Sequence, residues 1–261
     1  MSPARFIKRY RSPAEVDTAL AHYRWLLSLG ADVGLPRLLE HTPWTLEFEH
    51  VSGRAAELGD LPAVASALGR LHHTARQRGL AQAMANSRYI TSDVILDAFA
   101  GPRRRRLHEL CAVQGAGAPL SHEAIGAWLD HAAMLPVALY KDANPRNVLV
   151  ADYREPVLVD FDSLTLAPVG YDLAKLLVTT AMTGGDLPPR VVEETITAYA
   201  QELPDTLDHS RRTELTVWAE FHHLLTLPYL GHHGYRYPWP AVRPWPAGEV
   251  HDAAGTAERN L

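Results

Sequence analysis

Two aspartates and an asparagine are spaced so that a β-hairpin would bring their side chains together. Asp142 and Asn147 lie in a loop ahead of the apolar run 148–150, and Asp160 follows a second apolar run at 156–159. Mg²⁺ takes one or two protein carboxylates together with phosphate and water oxygens, and phosphoryl transfer needs a carboxylate near the attacking hydroxyl. The spacing therefore predicts a phosphoryl-transfer site with Asp142 as the base and with Asn147 and Asp160 as metal ligands.

Three motifs in this order carry a family resemblance. Asp142-x-x-x-x-Asn147, Asp160-Phe161-Asp162 and Gly170-Tyr171-Asp172-Leu173-Ala174 together resemble the aminoglycoside phosphotransferase and choline kinase-like family, a branch of the protein-kinase-like fold. Taken singly, each motif also suits an ordinary turn or strand end. The resemblance implies an α+β (α/β, two-lobed) fold, with a small strand-containing lobe at residues 1–53 and a mostly helical lobe at residues 54–261 that bears the site.

The resemblance also implies a nucleotide site in the small lobe. The strand pattern 6–10 places Lys8 where the family has its phosphate-binding lysine, although a surface lysine would fit the same pattern. The second of two strands predicted at 35–40 and 44–51 would run into the hinge between the lobes. Its last residues, Glu49, His50 and Val51, are predicted to bind the nucleotide base; an edge strand of alternating polarity is the alternative.

Four polar residues around the three motifs are predicted to support the site or to contact phosphate. In the family, the aspartate that corresponds to Asp172 braces the catalytic loop from below. Lys141 stands beside the predicted base, where it would lower the pKa of Asp142, meet the transferring phosphate, or point to solvent. The four residues are Lys141, Arg146, Asp162 and Asp172.

The chain departs from the family pattern at two places. Ser12-Pro13-Ala14-Glu15 is typical of a helix start and Gly30 of a helix end, but the middle of this helix carries Ala19 and His22 instead of a glutamate that would hold the lysine. No glycine-rich loop precedes Lys8. The prediction is therefore a small lobe without the family's first two strands, which a partner protein could complete.

The C-terminal region is rich in aromatic residues and prolines, which makes it unlike a free tail. Tyr235, Tyr237 and Trp239 are predicted to line an acceptor pocket. The alternative is that these rings cover the last apolar helix around Trp218 and Phe221.

Composition excludes several classes of function. The net charge is −5, and apart from the run Arg103–Arg106, interpreted as a solvated helix face, the basic residues are scattered, which argues against a nucleic-acid partner. One cysteine excludes an internal disulfide, and no uncharged stretch is long enough to span a bilayer. We therefore expect a cytoplasmic protein without a membrane partner.

Together these observations predict a kinase. The predicted reaction moves the γ-phosphoryl group of ATP or GTP, with Mg²⁺, to a hydroxyl of a small molecule that is an antibiotic, a sugar, a nucleoside or choline-like, or of a natural-product peptide. The alternative is a non-catalytic, kinase-like binding subunit that has lost its nucleotide lid.

Overall fold

The computed structural model describes residues 4–114, 120–151, 155–204 and 211–260. Its N-terminal part consists of three antiparallel strands and one long helix: β1 (Arg5–Arg9), α1 (Pro13–Leu29), β2 (Leu38–Thr42) and β3 (Thr45–Glu49). The strand order is β1-β3-β2, so β1 lies at an edge of the sheet. The helix packs on the sheet through Tyr23, whose ring meets Phe48 edge-on at 5.3 Å.

Local sequence signals set both ends of α1. The Ser12 hydroxyl accepts a hydrogen bond from the backbone N–H of Glu15 (3.3 Å), and the Glu15 carboxylate accepts one from the N–H of Arg11 (2.9 Å). Gly30 ends the helix in the left-handed conformation with φ 59°, which glycine adopts without a steric penalty. The predicted helix start and end are confirmed.

The remainder of the described chain is mostly helical, as predicted. Aromatic side chains form the centre of its core, where the Trp218 ring lies 5.4 Å from Trp128 and 5.8 Å from Phe99 in edge-on contacts. None of the helices in the described ranges is both long and apolar enough to cross a membrane. The helices are α2 (Leu61–Arg78), α3 (Ala100–Gln114), α4 (His122–His131), α5 (Tyr171–Gly184), α6 (Pro189–Gln201), α7 (Arg211–Thr226), α8 (Trp239–Val242) and α9 (Ala247–Asn260).

Short strands in this lobe hold the loops that bear the predicted site. They are β4 (Arg54–Ala55), β5 (Tyr89–Ile90), β6 (Ile95–Leu96), β7 (Val137–Tyr140), β8 (Val148–Val150), β9 (Val157–Leu158) and β10 (Thr165–Pro168). Strands β8 and β9 pair antiparallel, with Val148 opposite Leu158, so the predicted hairpin between Asn147 and Asp160 is confirmed. Strand β7, which feeds the loop of Asp142, pairs with β10.

The predicted lobe boundary at residue 53 lies immediately before β4. This strand pairs antiparallel with β8, with Arg54 opposite Val150, and so joins the strands that carry the site. The division into residues 1–53 and 54–261 stays a prediction, as does a partner protein for the small lobe.

The C-terminal aromatic segment is largely a cover over the core. Trp239 has no exposed surface, and its indole N–H donates to the carboxylate of Glu220 on α7 (2.8 Å). Its ring meets Trp245, also buried, at 5.6 Å. Because Trp239 presents no surface to an acceptor, its prediction as a pocket residue is wrong, and the core-cover alternative holds for it.

Replacing Trp239 by alanine is expected to lower the free energy of unfolding by about 3–5 kcal/mol, the usual cost of removing a fully buried tryptophan. Glu220 would also lose a hydrogen-bond donor in the interior. Denaturant unfolding at unchanged m-value measures the loss. Trp44→Ala is the matched control, because that ring is 54% exposed and surface changes usually stay within about 0.5 kcal/mol. A stable Trp239→Ala variant would contradict the core role.

Candidate active site

The loop that carries Asp142 is fastened from beneath by Asp172. This aspartate stands in the first turn of α5, where the helix dipole stabilises a negative charge, and it is 1% exposed. Its carboxylate accepts hydrogen bonds from the backbone N–H groups of Lys141 (2.7 Å) and Ala143 (3.1 Å), the residues on either side of Asp142. The loop backbone is thus fixed while the Asp142 side chain remains 39% exposed.

Backbone strain is concentrated at the predicted site. Of three non-glycine residues with positive φ in the described chain, two are Asp142 (φ 70°) and Asp160 (φ 67°). Such a conformation costs on the order of 1–3 kcal/mol and persists where surrounding contacts enforce it, often at functional sites. The strain therefore marks the same two aspartates that the sequence singled out.

The Asp142 carboxylate has three polar neighbours. One oxygen is in contact with the Lys175 ammonium group and lies 3.3 Å from the Tyr140 hydroxyl. The other accepts from the Asn147 side-chain amide at 3.3 Å, and the same amide donates to the Asp142 carbonyl at 3.2 Å. These contacts orient the carboxylate toward solvent.

Lys175 is a site residue that the sequence analysis missed. It lies on α5 one turn after Asp172, and residues three apart share a helix face, so this spacing was the available signal. Its ammonium group also donates to the Tyr140 hydroxyl at 2.7 Å. Burial lowers the pKa of Lys175 to about 7, and the Arg103 and Lys141 cations act in the same direction. The contacting Asp142 carboxylate opposes this shift and favours the charged form.

Lys141 points away from the predicted base. It is 2% exposed, and its ammonium group donates to the backbone carbonyls of Val159 and Asp160, the second at 3.3 Å. Burial lowers its pKa to about 8. The side chain points neither to Asp142 nor to solvent but ties the loop of Asp142 to the loop of Asp160, an arrangement that fits the predicted supporting role, which stays a prediction.

Lys8 bridges the two aspartates of the second motif. Its ammonium group lies 2.6 Å from the Asp160 carboxylate and 2.7 Å from that of Asp162. Burial acts to lower the pKa of Lys8, but the hydrogen bonds that it donates to these carboxylates and their negative charges outweigh burial, and the pKa is raised. The Tyr10 hydroxyl donates to Asp162 at 2.9 Å. A strand of the small lobe thereby places a cation directly at the predicted metal ligands.

Helix α1, which lacks the glutamate expected to hold Lys8, contacts the site through a histidine. His22, in the middle of α1, has Nδ1 at 3.2 Å from the carbonyl of Phe161 and at 3.1 Å from that of Asp162. Ala19 on the same helix lines a cavity that borders the site. In place of a glutamate on α1, the partners of Lys8 are the two aspartates.

A cavity of about 440 Å³ lies between the three-stranded sheet and this site. Asp142 lies next to this cavity, because Asn147 lines the cavity and donates a hydrogen bond to the Asp142 carboxylate. A more open hollow of about 530 Å³, lined by residues 77–90, contains none of the predicted site residues. Among the predicted residues, those that line the 440 Å³ cavity are Lys8, Glu49, His50, Val51, Arg146, Asn147, Asp160 and Asp162.

The donor set at the cavity suits Mg²⁺. Asp160 and Asp162 offer carboxylate oxygens and Asn147 an amide oxygen, the hard ligands that this ion prefers. Within the described ranges there is no group of three or more His, Cys, Asp or Glu side chains that could hold a metal. Mg²⁺ sites in phosphoryl-transfer enzymes use few protein ligands because phosphate and water oxygens supply the rest.

Arg146 and the two predicted tyrosines differ in their exposure. Arg146 is exposed, and its side chain lies 3.4 Å from the Asn144 amide oxygen. Tyr235 is 7% exposed, whereas Tyr237 is 41% exposed and lies beside Gly185, just after α5. An acceptor-binding role for these two tyrosines stays a prediction.

Solved structures with a similar fold are kinases. A choline/ethanolamine kinase family protein from Mesorhizobium loti is 16% identical, with 98% of this chain and 87% of that chain covered and a TM-score of 0.59. An aminoglycoside phosphotransferase from Alicyclobacillus acidocaldarius is 16% identical, with 98% and 86% covered and a TM-score of 0.54. An aminoglycoside phosphotransferase in a ternary complex with streptomycin and ATP is 9% identical, with 85% and 80% covered and a TM-score of 0.51.

Fold and site together define a phosphotransferase of the protein-kinase-like class. A search of curated proteins gave no significant match. The model of the phosphotransferase enzyme family matches residues 4–212, and the chain belongs to that family. The predicted resemblance to aminoglycoside phosphotransferases and choline kinases and the predicted enzyme class, a phosphotransferase with an alcohol group as acceptor, are both confirmed.

Proposed function

We propose that this protein is a Mg²⁺-dependent kinase that moves the γ-phosphoryl group of ATP to a hydroxyl of a small molecule. The observation that carries the proposal is the exposed Asp142 carboxylate beside a cavity lined by Lys8, Asn147 and Asp160. ATP is favoured over GTP because a solved structure of similar fold holds ATP. No observation on the described residues favours a peptide acceptor or the non-catalytic alternative.

Each residue has a defined part in this reaction. Glu49, His50 and Val51 line the cavity on the sheet side, where they would hold the base. Lys8 would neutralise charge on the phosphates, and Asn147 with Asp160 and Asp162 would hold Mg²⁺. When bound, Mg²⁺ supplies positive charge to the phosphate oxygens.

Asp142 is proposed to act on the acceptor. Its carboxylate would accept a hydrogen bond from the attacking hydroxyl and take its proton as the new bond to the γ-phosphorus forms and the bond from that phosphorus to the bridging oxygen of ADP breaks. Lys175 and Tyr140 hold one carboxylate oxygen, which leaves the group oriented but accessible. Asp172 fixes the loop backbone on both sides of Asp142 and so holds the base in one position.

Thermal unfolding with and without nucleotide tests the nucleotide part of this proposal. A ligand at 100 times its Kd stabilises a folded protein by about 2.7 kcal/mol, which for a chain of this size is a rise in Tm of about 5–10 °C. We expect this rise with ATP and Mg²⁺ and a smaller one with ATP and EDTA. A Tm unaffected by ATP or GTP in the presence of Mg²⁺ would overturn the proposal.

A further inference from the structure

Arg103 brings a cation close to Tyr140, whose hydroxyl lies 3.3 Å from the predicted base, Asp142. The sequence placed the run Arg103–Arg106 on a solvated helix face, but Arg103 turns toward the interior of the lobe. Its guanidinium carbon lies 4.4 Å from the centre of the Phe99 ring, 5.2 Å from that of Tyr140 and 5.5 Å from that of Tyr171. Aromatic faces attract a cation without neutralising it.

The contacts of Arg103 leave its charge uncompensated by protein. Its side chain donates a hydrogen bond to the Phe99 carbonyl at 3.1 Å. Within the described ranges it forms no ion pair, whereas its neighbour Arg104 pairs with Asp130. An arginine held by rings and a carbonyl keeps donors for a planar anion.

Lys175 is a second cation at the ring of Tyr140, with its ammonium group 5.1 Å from the ring centre. The Arg103 charge is near enough to Lys175 to lower its pKa, so the two cations share one electrostatic environment. We call Arg103, Tyr140, Asp142 and Lys175 the acceptor face. If the positive charge of Lys175 cancels the negative charge of Asp142, the remaining charge of Arg103 makes the acceptor face positive.

The two nearest further carboxylates are buried and bonded to groups outside the acceptor face. Asp172 is buried and accepts from two backbone N–H groups beneath the loop. Glu220 on α7 is buried and paired with Arg243 at 3.3 Å. His222, also on α7, adds no positive charge at neutral pH, because burial and the Lys175 and Arg103 cations hold its pKa well below the usual range.

We propose that the acceptor carries an anionic group, a carboxylate or a phosphate, beside the hydroxyl that is phosphorylated, and that Arg103 binds this group. The inference rests on the proposed kinase function. A cationic acceptor such as an amino sugar or a choline-like alcohol would meet like charge at the acceptor face, and juxtaposed like charges oppose binding. Arg103 would then select the acceptor, while Asp142 receives the proton of its hydroxyl.

Three-carbon alcohols of different charge test the proposal. Glycerate and glycerol 3-phosphate carry a carboxylate and a phosphate, glycerol is neutral, and serinol is cationic. Binding of each probe to the full chain with Mg²⁺ and a non-hydrolysable ATP analogue is measured by calorimetry. We expect at least one anionic probe to bind about tenfold or more tightly than glycerol, a difference of about 1.4 kcal/mol, with serinol weakest. Comparison of the two anions identifies the preferred group.

Substitutions on α3 test whether the Arg103 side chain causes the preference for an anionic probe. Arg103→Gln is expected to remove the tenfold preference, and Arg103→Lys, which keeps the charge but not the planar fork, to retain part of it. Arg105→Gln is the matched control, since Arg105 is exposed on the same helix. Thermal unfolding of each variant with ATP and Mg²⁺ checks that the fold and the nucleotide site are intact.

The outcomes separate this inference from the proposed function. Equal or stronger binding of serinol, no measurable binding of either anion, or a preference that survives Arg103→Gln overturns the anionic acceptor and leaves the kinase proposal standing. Absence of nucleotide binding overturns the kinase proposal instead. Because probe binding is measured directly, the acceptor result does not depend on turnover.

Discussion

Replacing Asp142 by asparagine is expected to lower kcat for phosphoryl transfer by about 10²–10⁴-fold, the usual contribution of a positioned general base. Asparagine keeps the size of the side chain but accepts no proton at neutral pH. The backbone N–H groups that fix the loop are donated to Asp172, so the loop should keep its position. Steady-state release of ADP in the presence of acceptor measures the loss.

Two measurements accompany this variant. Nucleotide affinity is expected to be unchanged, because Asp142 lies beside the cavity and does not line it. Asp252→Asn, an exposed carboxylate on α9, is the matched control and should retain full turnover. Undiminished kcat in Asp142→Asn would remove the base from the mechanism, whereas loss of nucleotide affinity would indicate a structural role.

Replacing Asp160 by asparagine is expected to abolish the contribution of Mg²⁺ to ATP binding. Loss of a residue that hydrogen-bonds a metal ligand typically lowers metal affinity by roughly 10–100-fold, and loss of a ligand itself should lower it at least as much. Without metal, the expected change in ATP affinity has the opposite sign. In EDTA the variant should bind ATP as well as the unchanged protein or better, since a carboxylate that repels the phosphates has been removed.

Calorimetric titration with ATP, once in Mg²⁺ and once in EDTA, gives the ATP affinity in each condition. Asp17→Asn on the exposed side of α1 is the control, with no expected effect in either condition. A variant that binds ATP and Mg²⁺ with unchanged affinity would show that Asp160 is not a ligand. Equal weakening in both conditions would instead point to its role as a partner of Lys8.

Features that depend on neighbours in sequence were predictable. The start of α1 at Ser12 and its end at Gly30 follow from a capping hydroxyl and from a residue that tolerates positive φ. The hairpin between Asn147 and Asp160 follows from two apolar runs separated by a turn, since such runs pair with each other when the connection is short. The three motifs sufficed for the family because their order and spacing are preserved along the chain.

Side-chain directions across long sequence separations were not predictable. Lys141 has the same local sequence whether it points to solvent, to phosphate or into the protein, and the carbonyls of the Asp160 loop decide among them. Lys175 reaches Asp142 only because α5 packs under the catalytic loop. Arg103 was read from composition as part of a charged surface, and the rings that enclose it come from α5 and β7 as well as from the residue just before α3.

The sequence by itself thus determined the class of enzyme, the hairpin that brings Asn147 and Asp160 together, and the two ends of α1. The tertiary structure decided that Lys175 contacts Asp142, that Trp239 belongs to the core, and that two aspartates in place of a glutamate on α1 pair with Lys8. The physical reason is the range of the interactions. Caps, turns and strand pairing across short connections act over a few residues, whereas burial and ion pairing depend on which distant segments the packed core brings together.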